Sequence, residues 1–598
     1  MQAAALPRCC DPTAPGGEER DAVVAAVTMP ARFRVALRAA GAGRAWLRLR
    51  ELSRAATDRD YRSRRGDARR KFAAFHDQHA GVLRPPLYPG HGRRPALLVA
   101  KNGGGAMRIE LALIKGLQMA GFSSTVLSDR GDLEPYYRLA GVTDFVTWSA
   151  FEEPLDRGVA AAIVSGISDV EQLLQLEHGP ARIGRFAVSA TLRRLRTGRI
   201  DLTNPSARET LTEALSEGLT RAEASHRLLD ALRPELALFL GNRYTGQAEL
   251  VDTCIARDVD VLAWYHAHRS EALTLKRYHR GNRDEHHASL ASSTWERLKQ
   301  LPWSDAQRAA IRSELHDAYA SGDWYRRGAT QIDKPIAAPD VVRQQLGIDQ
   351  AKPTAVIFPH IVWDATVWWG TDLFRDYHEW LVETVRAACA NERVNWIVKI
   401  HPAHLMKARM QRGADPEAAE VQILRSDVGA LPSHVKLVLP DTTLNTYALF
   451  PVMDYCITVR GTVGIEAACL GIRVLTAGTG RYDHRGFTLD SESRDEYLHR
   501  LRNLHTIPAM SVAEQTLAER YAYGAFVLRP WRLTTWTIDH GEGGEASLHV
   551  RLNARTAGDI AGASDMRAFA AWVADRSQED FLQPLRHGSE SCGALTRS

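Results

Sequence analysis

The sequence contains no apolar run that approaches the roughly 20 residues a helix needs to cross a bilayer. Cysteine is also scarce: seven occur in 598 residues, and no two form a CxxC pair. This scarcity excludes a disulfide scaffold and a zinc finger. The apolar stretch at residues 22–27 is too short for the core of a signal peptide. We therefore expect a cytoplasmic protein whose membrane contact, if it has any, is peripheral on the inner face of the cytoplasmic membrane.

The composition is that of a globular protein, with 45% hydrophobic and 25% charged residues. The net charge of +5 is not spread evenly, because residues 31–71 carry 14 Arg or Lys and only four Asp or Glu. We expect residues 1–30 to be a disordered leader and residues 31–90 a basic helical arm. The arm either packs on the body or lies on anionic lipid. It has few aromatic residues for stacking on bases, and no nucleic-acid partner is expected.

Alternation of strands and helices begins near residue 95. It predicts an α/β domain over residues 91–335, in which strands are covered by helices on both faces. The predicted strands of this part are residues 96–100, 124–127, 236–240 and 259–264.

A second block of the same kind covers residues 336–540, and residues 541–598 are expected to be a soluble tail. Its predicted strands are residues 355–358, 394–400, 435–439, 455–459 and 473–476. The two blocks predict two Rossmann-like, doubly wound domains that face a cleft.

Ligands of open parallel sheets bind beyond the carboxyl ends of the strands. His401 and Pro402 directly follow one predicted strand. Proline suits the first position of a helix, and the next free amides could hold a phosphate oxygen. The imidazole could stabilise a leaving group, or it could only cap a helix.

Arg460, Gly461 and Thr462 follow the next strong strand. Gly461 allows a tight turn, Thr462 suits a helix N-cap, and the fork of Arg460 could pair with phosphate or carboxylate. Glu466 could accept hydrogen bonds from a ribose diol, or it could only stabilise the positive end of the helix. Gly478 lies in a small-residue loop suited to backbone contact with a nucleotide.

The glycine loop at residues 102–105 contains Gly103, Gly104 and Gly105. It resembles a dinucleotide-binding loop, but Arg108 stands where a third glycine belongs, so a nicotinamide cofactor is disfavoured. We expect a flexible loop over the acceptor or donor, with Arg108 available for anions.

Two further groups are candidates for the acceptor side. His266 and His268 share one side of an extended segment; a metal would need a third ligand that the sequence does not offer, so we expect none. His360 and Asp364 lie in a loop with Trp368 and Trp369. Such aromatics suit sugar rings or ordinary domain packing, and Asp364 is the candidate general base.

The runs at these strand ends resemble the bacterial capsule polysaccharide biosynthesis family, which includes Kdo transferases. The similarity is carried by VRGTVGIEAACLG at 459–471, RVLTAG at 473–478, KIHP at 399–402, FPHIVWD at 358–364, YAYGAF at 521–526 and RPW at 529–531. It covers residues 354–531, and over residues 95–290 it is architectural only.

This resemblance implies a GT-B glycosyltransferase that uses a nucleotide-activated sugar such as CMP-Kdo, without a bound metal or cofactor. His401 and Pro402 would hold the donor phosphate, and Thr462 and Glu466 the nucleotide. The acceptor would be a capsule or other surface polysaccharide or glycolipid. Arg460 departs from the family, whose members often have a smaller polar residue there.

Two alternatives stay open: a transferase that takes a polyol phosphate from a CDP-polyol donor, and a non-catalytic protein of polysaccharide export or assembly.

Overall fold

The computed structural model describes residues 59–90, 93–101, 104–153, 157–241, 244–328, 330–364, 366–402, 417–541 and 548–583. The chain divides into two compact units, residues 1–77 and 78–598, which are described separately. The expected leader and the arm up to residue 58 lie outside the described residues. The arm continues into helix α1, Arg59–Leu83, as the sequence predicts. Within the described ranges, no helix combines the length and the apolar character that crossing a membrane requires.

The first domain is built on a seven-stranded sheet with the order β13-β6-β5-β4-β1-β2-β3. Strands β1 to β5 are parallel, whereas β6 and β13 are antiparallel additions at one edge. The strands are β1 Arg94–Val99, β2 Phe122–Leu127, β3 Asp144–Val146, β4 Leu236–Leu240, β5 Asp260–His266, β6 Ala272–Tyr278 and β13 Trp531–Arg532.

Helices connect these strands and lead to the second domain. They are α2 Gly104–Met119, α3 Glu134–Leu139, α4 Arg157–Gly166, α5 Ile183–Leu195, α6 Pro205–Leu232, α7 Ala248–Ala256, α8 Ser292–Gln300 and α9 Asp305–Ala320. The longest, α6, begins where the Asn204 side chain accepts hydrogen bonds from the amides of Ser206 and Ala207, with proline at the first helical position.

The second domain has a six-stranded parallel sheet with the order β12-β11-β10-β7-β8-β9. Its strands are β7 Thr354–Ile357, β8 Asn395–Lys399, β9 Val435–Val438, β10 Tyr455–Thr458, β11 Arg473–Thr476 and β12 Leu489–Asp490. Its helices are α10 Pro339–Leu346, α11 Tyr377–Cys389, α12 Ala419–Ile423, α13 Thr462–Cys469, α14 Arg494–Arg502 and α15 Val512–Tyr523.

Successive residues of β8 pack into different cores, since side chains alternate between the faces of a strand. Trp396 and Val398 belong to the cluster that contains α11, whereas Ile397 packs with Cys456 and Ile465 on the face that α13 covers. Burying one such large apolar side chain contributes about 1.5–3 kcal/mol. Both faces of the sheet are therefore covered, and the expected α/β class with two doubly wound domains is confirmed.

The C-terminal part differs from the expectation of a tail. The chain returns to the first domain through β13, and it forms the ribbon β14 Trp536–Asp539 with β15 His549–Leu552. The helices α16 Ala557–Gly562 and α17 Ser564–Ala574 follow, with Phe569 fully buried. The two strands of the ribbon and α16 are too short to show a periodicity, so the sequence analysis did not reveal them. Residues 584–598 lie outside the described part.

The strand predictions agree with the structure within two residues at most ends, and 236–240 and 473–476 are reproduced without change. The sequence analysis did not predict strand β6, although all seven of its residues are buried. Its Lys276 and Arg277 are polar side chains with carboxylate partners, Glu285 and Asp260.

Candidate functional site

The carboxyl ends of the parallel strands of both domains meet. Tyr244, which follows β4, donates a hydrogen bond of 2.8 Å from its hydroxyl to Asp364, which follows β7. A cavity lies between the domains. From the first domain it is lined by His266, His268, Thr274 and His287, and from the second by Ile465 and Arg481, with Tyr325, Phe526 and Arg529 completing the wall. The arrangement is that expected of two domains facing a cleft.

This cavity is narrow. Its volume of about 30 Å³ leaves room for about two water molecules. A ligand of nucleotide size does not fit in this cavity as the two domains stand.

Helix α13 begins directly beyond β10, with Gly461 as its N-cap. The Gly461 amide donates to Thr458 Oγ1 at 3.2 Å, and its carbonyl accepts from the Tyr482 hydroxyl at 2.7 Å. The first amides of a helix have no partner within the helix, and this end carries partial positive charge. The turn is thus held in place with the positive end of the helix at the carboxyl edge of the sheet.

Arg481 is the main residue that the sequence analysis missed. Its side chain is 7% exposed and lines the cavity. It donates to Arg460 O at 3.1 Å and to Thr462 Oγ1 at 2.7 Å. In the described part of the chain no carboxylate oxygen lies within 4.0 Å of its guanidinium nitrogens. A buried cation without an anion costs several kcal/mol, which an anionic ligand would offset. The sequence did contain a signal for this residue, because Arg481 directly follows Gly480 at the end of the small-residue loop beyond β11.

Arg460 lies on the same strand end, but its guanidinium is already paired. It forms an ion pair with Asp372 and donates to the Tyr377 hydroxyl and to Thr371 O, each at 3.4 Å. It is 2% exposed. Burial raises the pKa of Asp372, and the nearby guanidinium opposes that shift. A phosphate or carboxylate on Arg460 would have to compete with this carboxylate.

Gly478 contacts this ion pair. A Cβ at position 478 would come within 2.7 Å of Asp372 Oδ1 and of Val459 Cγ1. The absence of a side chain therefore makes room for the Arg460–Asp372 pair, in addition to any contact that the backbone makes with a ligand.

His360 follows β7 and is fixed by a backbone hydrogen bond. Its Nε2 accepts from the Arg460 amide at 3.2 Å, and its ring stacks on Tyr377 with centroids 4.7 Å apart. Nδ1 must then carry the proton of the neutral ring. Burial lowers the pKa of His360 to about 3, and the positive charges of Arg460, Arg481 and His401 act in the same direction. His360 is a neutral donor across the physiological range.

His401 and Pro402 lie at the tip of β8, where His401 is exposed and Pro402 half-buried. His360 follows β7 and His401 follows β8, its parallel neighbour, so the two residues lie at the same edge of the sheet. The residues that follow, 403–416, lie outside the described part, so the helix start expected after Pro402 is not described.

Glu466 lies in α13 and is 1% exposed. It accepts a hydrogen bond from the Tyr319 hydroxyl of α9. Burial raises the pKa of Glu466 to about 8, although the Tyr319 hydrogen bond and the charge of Arg481 oppose the shift. Near neutral pH the carboxyl group is therefore mostly protonated, and it joins α13 to α9.

The two histidines at the end of β5 both line the cavity. His268 is 2% exposed, and its Nε2 lies 2.6 Å from Glu314 Oε1. Burial lowers the pKa of His268, and the carboxylate of Glu314 opposes that shift. The ring of His266 packs edge-on against His540, with centroids 4.7 Å apart. They form part of the wall on the first domain, where the acceptor was expected.

The glycine loop expected at residues 102–105 is corrected by the structure. Gly104 and Gly105 are the first residues of α2, and Gly103 lies outside the described residues. A Cβ on Gly105 would come within 2.8 Å of Leu548 Cγ, and Arg108 donates to Val550 O at 3.0 Å. Glycine here permits close packing of the β14–β15 ribbon on α2, and Arg108 holds that ribbon.

The tryptophans after β7 serve packing. Trp368 donates from Nε1 to Ser189 Oγ at 2.7 Å and stacks on Phe186 with centroids 4.8 Å apart. Both partners lie on α5 of the first domain, so this contact joins the domains. Among the residues that the structure describes, no group of three or more His, Cys, Asp or Glu side chains is arranged to hold a metal ion.

No protein-family model matches the chain, and no curated protein sequence matches it. Similar solved structures include two transferases of Thermosulfurimonas dismutans KpsC. The β-Kdo 2,7-transferase is 15% identical, with 55% of this chain and 86% of that chain covered and a TM-score of 0.31. The β-Kdo 2,4-transferase is 14% identical, with 52% and 84% covered and a TM-score of 0.29.

The UDP-GlcNAc 2-epimerase of Neisseria meningitidis, bound to UDP-GlcNAc, is 11% identical, with 72% of this chain and 97% of that chain covered and a TM-score of 0.27. At such identities and scores these likenesses do not assign a function.

Proposed function

We propose that this protein is a glycosyltransferase that moves a sugar from a nucleotide-activated donor to a saccharide or glycolipid acceptor. The observation that carries the proposal is that the Arg481 guanidinium lies against the first residue of α13, Thr462, at the carboxyl edge of the second sheet. Among the described residues this guanidinium has no carboxylate partner. The sequence motifs at these strand ends favour a surface polysaccharide acceptor and a CMP-sugar such as CMP-Kdo as donor.

The phosphate of the donor would lie at the start of α13. As the sugar–phosphate bond breaks, negative charge grows on the leaving oxygen. The free amides of α13, the Nδ1–H of His360 and Arg481 are hydrogen-bond donors held rigidly for that charge, so they would stabilise the transition state more than the ground state. These positive groups are also the reason to expect a reaction that needs no metal ion.

The acceptor would enter from the side of His266 and His268. Its hydroxyl oxygen bonds to the anomeric carbon, the nucleotide departs with the electron pair of the broken bond, and the hydroxyl proton passes to a base. Asp364 is the candidate base, and the Tyr244 hydroxyl orients its carboxylate. Because Tyr244 belongs to the first domain, closure of the domains would bring this base into position.

The experiment is a thermal-shift screen with CMP, CDP, UDP and GDP, followed by donor turnover with the nucleotide that binds. A ligand of the native state raises its stability by about 2.7 kcal/mol at 100 times its dissociation constant. We expect one nucleotide class to raise the melting temperature, and its sugar derivative to be hydrolysed slowly to free sugar. Release of a polyol phosphate from a CDP-polyol instead would contradict glycosyl transfer.

The matched pair of variants is Arg481→Met and Arg473→Met. Arg473 is equally buried, at 5% exposed, but it pairs with Glu514 and lies at the opposite end of β11. Arg481→Met should weaken nucleotide binding by roughly 10- to 100-fold, given about 1.5–3 kcal/mol for a charge-assisted hydrogen bond. Arg473→Met should lower stability and leave affinity unchanged. Equal affinities of the two variants would exclude the anion-binding role of Arg481.

A further inference from the structure

The wall of the cavity between the domains contains two arginines and no acidic side chain. Arg481 and Arg529 both line it, whereas no aspartate or glutamate of the described residues does. His266, His268 and His287 add three imidazoles to the same wall. Guanidinium groups around a space without a carboxylate favour an anion inside it.

Both arginines are buried and keep part of their donor capacity unused. Arg481 is 7% exposed and Arg529 is 1% exposed. The terminal nitrogens of Arg529 donate to Ser289 O at 2.8 Å and to His287 O at 2.9 Å. The Nε–H group of each arginine is buried and has no acceptor in the part of the chain that the structure describes. Donors left in this state cost free energy that a bound anion would offset.

The carboxylates of this region do not balance its cations. Asp580 lies 3.6 Å from Arg529 Nη2 and 3.7 Å from Lys276 Nζ, and Glu285 lies 2.8 Å from the same Nζ. Arg481 has no described carboxylate within 4.0 Å. The three cations Lys276, Arg529 and Arg481 thus share two carboxylates, and three minus two leaves one positive charge. One monovalent anion would neutralise this excess.

The size of the cavity selects the anion. Its volume of about 30 Å³, room for about two water molecules, is too small for phosphate, sulfate or an organic acid. Chloride is a single atom slightly larger than a water oxygen, and it accepts N–H groups from any direction. The weakly hydrated guanidinium also suits chloride better than the strongly hydrated fluoride ion.

We propose that this cavity is a binding site for one chloride ion. The ion is held by Arg481 of the second domain and by Arg529, which lies two residues before strand β13 of the first sheet. It neutralises the excess charge and links the two walls of the cavity. The site follows from the lining, the charges and the volume, and it does not depend on the proposed function.

The consequence for the nucleotide does rest on the proposed function. Arg481 also donates to Thr462 at the start of α13, where the phosphate of the donor would lie. Two anions beside one guanidinium repel each other, so chloride and nucleotide should weaken each other's binding by the same factor. We expect the dissociation constant of the nucleotide to rise by about 3- to 10-fold in chloride.

The first experiment is thermal unfolding of the full chain without nucleotide, with chloride replacing gluconate at a constant ionic strength of about 0.15 M. We expect the melting temperature to rise by about 1–3 °C and to saturate, because gluconate is too large for the cavity. Bromide should act like chloride. Arg481→Met should lose this response, and Arg473→Met, whose arginine pairs with Glu514, should keep it.

Chlorine-35 NMR measures the bound ion directly. The native chain should broaden the chloride line, and bromide should reverse the broadening whereas gluconate should not. This measurement decides the question in the native chain even if Arg481→Met does not fold. Equal melting temperatures in chloride and gluconate, or a chloride response that Arg481→Met retains, would overturn the site.

The coupling is tested separately by titration calorimetry with CMP, CDP, UDP and GDP, in chloride and in gluconate at equal ionic strength. Weaker nucleotide binding in chloride is the expected result. Equal or tighter binding in chloride would overturn the coupling and leave the chloride site standing. Stabilisation by chloride without binding of any of these nucleotides would count against the proposed function and not against the chloride site.

Discussion

The exchange Glu466→Gln should remove a large pH dependence from the stability of the second domain. Glutamine has the shape of the protonated carboxyl group and still accepts the hydrogen bond from the Tyr319 hydroxyl. The unfolded chain loses the Glu466 proton near the ordinary glutamate pKa of 4.5, whereas the folded chain, in which burial raises this pKa, holds the proton up to about pH 8. Between these values the native state binds more protons than the unfolded state, so the Glu466 contribution to stability falls as pH rises.

The size of this effect follows from the width of that window. At about 1.4 kcal/mol for each pH unit, the loss between pH 4.5 and 8 is on the order of 4–5 kcal/mol. Glu466→Gln should therefore be close to native in stability at pH 5 and clearly more stable at pH 8. Urea unfolding followed by tryptophan fluorescence at pH 5, 6, 7 and 8 measures the difference.

Glu514→Gln is the control of opposite sign. The hydrogen bond and charge of Arg473 lower the pKa of Glu514 to about 2, so its contribution is present above the unfolded value and is lost only as pH falls toward 2. The cost of Glu514→Gln should thus be nearly constant from pH 5 to 8. If the two variants show parallel curves, the assignment of a protonated Glu466 is wrong.

Three further predictions test the site and the arm. Gly478→Ala should destabilise the second domain by about 2–4 kcal/mol in thermal unfolding, because the added methyl group displaces the buried ion pair of Arg460. The control is Gly166→Ala, which has open space around its Cβ and should be neutral or slightly stabilising. The ring of His360 should show unprotonated Nε2 and no titration from pH 8 to 5 in ¹⁵N spectra, and a shift near pH 6.5 would contradict its burial. Deletion of residues 31–58 should reduce sedimentation with anionic vesicles and leave neutral vesicles unaffected, whereas equal sedimentation would dismiss a lipid-binding arm.

The sequence predicted the two α/β domains because their parallel strands are short apolar runs followed by turn residues and helices. That local signal needs no knowledge of distant contacts, which is why β4 and β11 were found without error. It failed at β6, whose Lys276 and Arg277 read as solvent-exposed until their carboxylate partners are known.

The location of the candidate site at the strand ends could likewise be derived from the sequence. The carboxyl ends of parallel strands share one edge by geometry, so the residues after β7, β8, β10 and β11 had to lie together. Gly461, the N-cap of α13, marked one of these places through its local backbone preference.

Which cations are free to meet a ligand was decided only by the tertiary structure. Arg460 and Arg481 are both arginines in loops at strand ends, and the sequence alone does not distinguish them. In the structure Arg460 forms an ion pair with Asp372. No carboxylate oxygen of the described residues lies within 4.0 Å of the Arg481 guanidinium. Pairing of a buried charge depends on groups far away in the chain, whereas strand and helix formation depends on neighbours. The sequence by itself therefore determined the two sheets and the edge where chemistry belongs, and the long-range contacts of the fold decided which side chains remain available there.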